Sequence, residues 1–350
     1  MTETNAIAAI GATPHWLPHA LDPATDLVSL LRMEEEDYRR ASFLDQRVVA
    51  PGSEIRALPW GEAAAGVPAG ARRDVQYIFH LGNVGSTLVS RLLGELELVF
   101  ALREPLLLRS FYDRLGPLAG PSAWPAEESS ARLDTLIALL SRTFRPGQRA
   151  LVKATSFTSE IGWRLVPPGS SALFLFASPQ AYIENILAGE NSLRTLEMLG
   201  PSRLERLRGR CPGLTFDSER SSAARKAALA WACEMTSLEQ SAARLPPGAA
   251  AWLDFDRFLA NPITHFLALA RHFGHPVEAD AARAICEGPL MSRYSKALEH
   301  EYSPELRRQV LAESRWLHEP EIRDSLGWLN ALARSYPAVA QAIRRTRQEA

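Results

Sequence analysis

Tyr77-Ile78-Phe79-His80-Leu81-Gly82-Asn83-Val84-Gly85-Ser86-Thr87-Leu88-Val89-Ser90-Arg91-Leu92-Leu93 reads as strand, tight loop and helix. Tyr77 to His80 is a short apolar run of the length of a buried strand. Gly82 and Gly85 bracket a stretch where the backbone can turn sharply and approach a ligand closely. Ser86 and Thr87 stand where a helix begins, and Leu88, Val89, Leu92 and Leu93 continue it at helical spacing. Such a junction aims several backbone N–H groups and the positive end of a helix dipole at one point, which favours a phosphate or sulfate. It is not a Walker A loop, because no Lys precedes Ser86. A glycine-bearing turn from strand to helix also occurs in α/β proteins that bind no anion, so the loop alone leaves both readings open.

Outward from the loop, further strands and helices alternate. Leu98 to Leu102 predicts a second strand, ending in Arg103-Glu104-Pro105 and followed by helical spacing from Leu106 to Phe111. Ala131 to Phe144 predicts an amphipathic helix, and Arg149 to Ser156 a strand whose end carries Lys153. Ala172 to Ala177 is the most apolar run, the pattern of a parallel strand buried on both faces. Ser178-Pro179 then starts a helix, Ser as N-cap and Pro at its first position. Ala223 to Leu245 predicts a long helix, and Ala250 to Asp256 a last strand. Ligands of parallel sheets gather at the carboxyl ends of strands, so the ends at His80, Glu104 and Lys153 should converge. Glu104 suits either a general base or a carboxylate stabilising the helix after Pro105. Lys153 is one of only three lysines among 39 basic residues, a compact ammonium kept where Arg is the rule.

The segment G-N-V-G-S-T-L-x-S-R-L-L resembles the 5′-phosphosulfate loop of the sulfotransferases. That resemblance extends over roughly residues 74–300. The order Arg103-Glu104-Pro105, then Lys153, then Ser178-Pro179, then Asn261-Pro262 and Phe273-Gly274 is similar to the succession of family motifs. It implies a P-loop NTPase-like three-layer αβα fold around a central parallel sheet. It also implies sulfuryl transfer from PAPS, with PAP as product, to a hydroxyl or amine, with no metal. On the same basis Gly82, Asn83, Val84, Gly85, Ser86 and Thr87 would bind the donor, Glu104 would be the base and Lys153 would stabilise the transferred group. Three donor positions depart from the family pattern: Asn83 stands for Lys or Arg, Ala177 for Arg, and Asn185 for Ser. Ser192 and Arg194, or Arg293, Ser295 and Lys296 in a basic loop near the C-terminus, are the substitutes the sequence offers for the 3′-phosphate. Two rivals stay open: an ATP- or GTP-dependent phosphotransferase, kept alive by Asp254 and Asp256, and a catalytically degenerate nucleotide-binding protein.

Composition agrees with an ordinary globular chain. Its 350 residues are 46% hydrophobic and 23% charged, enough to bury a large core. A net charge of −1 argues against a nucleic-acid partner. No apolar window reaches the length of a membrane span, and Met1 to Asn5 lacks a basic leader. Cys211, Cys233 and Cys286 are scattered without metal spacing, which fits a reducing cytoplasm, and the resemblance points to bacterial relatives. Residues 1–74 read as a helical appendage and linker, with a helix over Asp26 to Tyr38. Residues 75–300 read as the α/β domain, and residues 301–350 as C-terminal helices packed on it. Gly200 to Ser222, polar and Arg-rich, reads as a flexible segment over the site. The acceptor (small metabolite, carbohydrate, lipid or peptide) is not legible, and a homodimer stays open.

Overall fold

A computed structural model of the chain describes residues 10–293 and 302–348. The centre is a five-stranded parallel sheet built from β4 (Gln76–His80), β5 (Val99–Arg103), β6 (Arg149–Lys153), β7 (Ala172–Phe176) and β8 (Ala250–Asp254). The strands lie in the order β5-β6-β4-β7-β8. Every residue of β4 and β7 is buried. A strand can be buried on alternate sides only if both faces of the sheet are covered, and helices connecting parallel strands do this. The result is a three-layer α/β architecture, with the parallel sheet that the alternation of strands and helices predicts.

Register brings the strand ends together. Ile78 lies opposite Lys153, and Arg103 lies opposite Lys153 on the other side. The ladder runs one step further, where Glu104 N–H donates to Lys153 O at 2.7 Å and Ala154 N–H to Ile78 O at 3.0 Å. Glu104 and Lys153 therefore meet just beyond the carboxyl ends of neighbouring strands.

The N-terminal region is not a helical appendage. Its residues form a three-stranded antiparallel sheet of β1 (Trp16–Asp22), β2 (Leu27–Arg32) and β3 (Ile55–Pro59). Only Glu35–Arg40, opened by a capping box at Glu34, is helical within the expected helix. The hairpin turn after Asp22 decides this. Asp22 accepts from Ala24 N–H at 2.9 Å and Thr25 Oγ1 at 2.6 Å, while Asp26 takes a positive φ of 57°. A helix through Asp26 cannot coexist with that turn, and β2 buries Val28, Leu30 and Leu31 between two partner strands. Pro18 sits on the edge strand beside a register shift, where a missing N–H costs no ladder bond. The sheet shares one hydrophobic core with the central domain. Arg142 ties it down, its buried guanidinium donating to the carbonyls of Ile10, Thr13 and Trp16.

The Arg-rich stretch after Gly200 is also different from its reading as a flexible cover. Glu190–Arg210 is one helix that continues through Pro201. Arg203 and Arg206 are buried against Glu234 of the helix Ala223–Ala242, and Arg206 and Arg210 against Glu160. Burial pushes the Glu234 carboxyl up, but Arg206 and Arg203 outweigh it and bring it down to about 2. Unsigned Arg periodicity cannot separate a solvated face from a paired one, because the carboxylates lie 28 and more residues away in sequence.

Candidate active site

The loop after β4 is held open by three residues in the left-handed region. Gly82 has φ 83°, Asn83 φ 54° and Gly85 φ 68°. His80 Nδ1 accepts the Gly82 N–H at 2.9 Å, which fixes the first turn. Gly85 is the N-cap of the helix Ser86–Leu93, whose eight residues are all buried. A Cβ on Gly85 would lie 1.9 Å from the Phe255 ring, so the absence of a side chain there is what lets the loop close. On the other flank a Cβ on Gly82 would come 3.6 Å from Ser156 Oγ, three residues past Lys153. The loop is thus seated between the end of β6 and the residue after β8.

Beside it opens a cavity of about 320 Å³, lined among others by Asn83, Gly85, Thr87, Asn185, Ser192 and Arg293. Thr87 Oγ1 is buried and has no hydrogen-bond partner among the described residues. A buried hydroxyl left unsatisfied at a helix N-terminus is suited to an anionic ligand. Val84 packs in the core and offers only its backbone, and Ser86 is buried at the helix start. Of the substitute contacts, Ser192 and Arg293 reach the cavity. Arg194 does not line it; its exposed side chain lies 3.5 Å from Glu190. Ser295 and Lys296 lie outside the described residues.

The altered positions have explanations. Ala177 is buried, and its carbonyl accepts from Trp231 Nε1 at 3.0 Å, so a core position stands where the resemblance places a surface Arg. Asn185 Nδ2 donates to Asn83 O at 2.9 Å, so these two departures act on each other. Arg307, which the sequence reading passed over as part of a C-terminal helix, lines the same cavity. It pairs with Asp256 at 2.7 Å and lies over the Phe255 ring, 5.3 Å from its centroid. Gly85, Phe255 and Arg307 therefore form one stack. The residue after β8 was the available signal, since a Phe following a strand end faces the same edge as the loop.

Lys153 and Glu104 form the second half of the site. Lys153 is 1% exposed, and its ammonium donates to Glu104 Oε1. Burial pulls the Lys153 ammonium below its ordinary value, and the Glu104 charge works against that. Glu104 is itself in the left-handed region at φ 51°, uncommon outside Gly, Asn and Asp. From that conformation its carboxylate accepts from the Lys153 ammonium. The Phe43 ring lies 5.1 Å from Lys153 Nζ, which covers the ammonium from the N-terminal side.

The two aspartates that favour a metal–nucleotide site are occupied by structural tasks. Asp254 Oδ1 accepts the N–H groups of Asp256 at 2.8 Å and Arg257 at 3.3 Å as a helix cap. Asp256 holds Arg307. Among the described residues no helix is long and apolar enough to cross a membrane.

No protein-family model and no curated protein matches the chain. Among solved structures the chain is similar to the sulfotransferase domain from the curacin biosynthetic pathway, at 14% identity and a TM-score of 0.41, over 68% of this chain and 87% of that one. It is also similar to a sulfotransferase from Mycobacterium avium, at 12% identity and a TM-score of 0.36, over 72% of this chain and 78% of that one. A third, a sulfotransferase from Alicyclobacillus acidocaldarius, is 14% identical with a TM-score of 0.34, over 72% of this chain and 96% of that one. Likeness at this level says nothing about activity, which rests on the residues of the chain itself.

Proposed function

We propose that this chain transfers a sulfuryl group from PAPS to a hydroxyl or amine of an acceptor. The observation that carries the reading is the meeting of an anion-suited loop with a buried Lys–Glu pair at one sheet edge. The left-handed loop Gly82–Gly85 and the orphaned Thr87 hydroxyl fit a phosphate-bearing donor. Bound PAPS would supply the sulfuryl group; everything else is done by this chain.

The loop N–H groups hold the anionic end of the donor at the start of the helix Ser86–Leu93. Arg293, Ser192 and Arg307 offer contacts across the adjoining cavity for further phosphate oxygens. Lys153 keeps a positive charge at the strand ends, where negative charge builds during transfer. Glu104, 16% exposed against 1% for Lys153, is the member of the pair that an acceptor can reach. Its carboxylate takes the proton of the attacking hydroxyl as the new S–O bond forms and the bond to the donor phosphate breaks. The Lys153 ammonium keeps Glu104 oriented and is left beside the departing phosphate.

Calorimetric titration with PAP, run beside ATP and GTP with Mg²⁺, tests this. Micromolar PAP binding without metal is the expected result. Binding of a nucleoside triphosphate and not of PAP would overturn the donor assignment. PAP binding with no turnover on any acceptor would leave a nucleotide-binding protein.

A further inference from the structure

The loop Gly82–Gly85 is gripped at two points. At Gly85 the hold is the Phe255 ring, packed where a Cβ would stand. At Asn83 it is the Asn185 side chain, whose Nδ2 donates to Asn83 O at 2.9 Å. Asn83 needs that hold. Its φ of 54° lies in the left-handed region, which asparagine enters more readily than most residues but still at a cost. The planar trans peptide that carries Asn83 O carries the Val84 N–H on its opposite edge, so fixing the carbonyl also fixes that donor. A flip of this peptide would exchange the two. A carbonyl repels the anion that an N–H attracts, and a loop of left-handed turns binds anions only while its N–H groups stay in place.

Asn185 is itself firmly placed. It lies on the helix Pro179–Leu187, next to Glu184, whose side chain is fully buried. The Glu184 carboxylate accepts from Gln180 Nε2 at 2.8 Å, from Arg315 Nε at 2.6 Å and from Arg315 Nη2 at 3.1 Å. Ser314 Oγ adds a bond to Glu184 O at 2.8 Å. A buried carboxylate so bonded is costly to displace, so this turn of helix stays where it is. Ser314 and Arg315 belong to the helix Pro304–Leu317, which also carries Arg307 over the Phe255 ring. One helix therefore braces both grips on the loop, the first through Glu184 and Asn185, the second through Phe255.

The resemblance gives position 185 to a Ser that holds the donor's 3′-phosphate. Here an amide N–H is committed to the backbone of the loop. We propose that Asn185 is a positioning residue: it holds the 83–84 peptide in the orientation that presents the Val84 N–H to the 5′ anion of the donor, and it does not read the 3′-phosphate. This role presupposes an anion at the loop, as sulfuryl transfer from PAPS requires. The departure at 185 is then a change of task, in which a contact with the nucleotide is exchanged for one with the loop.

PAP and AMP share the adenosine and the 5′-phosphate, and only PAP carries the 3′-phosphate. Both are titrated by calorimetry, with inorganic pyrophosphate beside them, into the full-length protein and its Asn185→Ala and Asn185→Gln variants. Asn185→Ala should weaken all three ligands by the same factor, at least about fivefold, the scale of one lost hydrogen bond. Asn185→Gln keeps an amide donor and should recover part of that loss on all three. Asn185 is half-buried on the wall of the cavity, so both variants should melt near the wild-type temperature. Weakening of PAP alone would make Asn185 a 3′-phosphate contact and overturn the positioning role. Unchanged binding of all three would overturn it too, as would a Gln variant no better than the Ala variant. Wild type that binds pyrophosphate but not PAP would sink the donor assignment, and the variant comparison on pyrophosphate would still decide the role of Asn185. Wild type that binds none of the three overturns both.

Discussion

Glu104 and Lys153 are joined twice, in opposite senses: the Glu104 backbone N–H donates to the Lys153 carbonyl at 2.7 Å, and the Lys153 ammonium donates to the Glu104 carboxylate. Both links depend on the parallel register of β5 with β6. The backbone link fixes where Glu104 stands, and the Lys153 ammonium holds its carboxylate there. Glu104→Gln keeps the shape and the position but removes the base. Turnover should fall by about 10² to 10⁴, the usual contribution of a positioned base, while PAP affinity stays within about twofold. Single-turnover rates with labelled PAPS, set beside a PAP titration, check this; unchanged turnover excludes Glu104 as the base.

Lys153→Met is the complementary change. It removes a buried cation of similar length and leaves Glu104 without its counter-charge. Catalysis should fall by at least about a hundredfold, the scale of losing one preorganised charge at a reacting centre. Burial lowers the affinity of Lys153 for its proton, so a pH–rate profile of the wild type should lose activity on the alkaline side earlier than an ordinary lysine would require. In the Met variant that alkaline limb should vanish. A limb that persists would assign it to another group.

Gly85→Ala should close the loop to anions. The new Cβ would fall 1.9 Å from the Phe255 ring, and φ at this position is 68°. Both penalties act together, so PAP affinity should drop at least tenfold. Phe255→Leu in the same chain should return part of it by making room, leaving only the backbone strain. A double variant no better than Gly85→Ala would mean that strain alone, and not the ring contact, governs the loop.

The central sheet was legible because β4 and β7 are continuous apolar runs and because Lys153 and Glu104 follow strands directly. The loop was legible because glycine marks positive φ. Two kinds of feature were hidden. The first is pairing between distant elements: Arg203 and Arg206 look solvated until Glu234 is set beside them, and Arg307 looks like helix surface until Asp256 and Phe255 are. The second is the competition of strand and helix over Leu27 to Leu31, where Leu and Val fit either period. There the turn chemistry of Asp22 to Asp26 decides, and it lies outside the apolar window. The same limit concealed Phe43, which acts on Lys153 across more than a hundred residues of chain.

The buried network under the Glu190–Arg210 helix makes a stability prediction with a definite sign. The folded pKa of Glu234 is depressed to about 2 from an ordinary 4.5, so its contribution is fully present above pH about 4.5. It is lost as pH falls from there toward 2, and a shift of that size corresponds to roughly 3 kcal/mol. Glu234→Gln should be more damaging at neutral pH than this linkage alone implies. It would take the shared carboxylate from Arg203, whose side chain is 5% exposed, and leave Arg206 with Glu160 alone. A loss of about 3 to 5 kcal/mol is the usual result of breaking a buried pair from one side. Because Glu160 still holds Arg206 and Arg210, the helix should stay attached and the variant should fold. Urea unfolding of both proteins between about pH 3 and pH 7 gives the discriminating result. Wild type should lose stability toward acid more steeply than the variant, so that the two curves converge. Parallel curves would show that Glu234 is not the group that titrates.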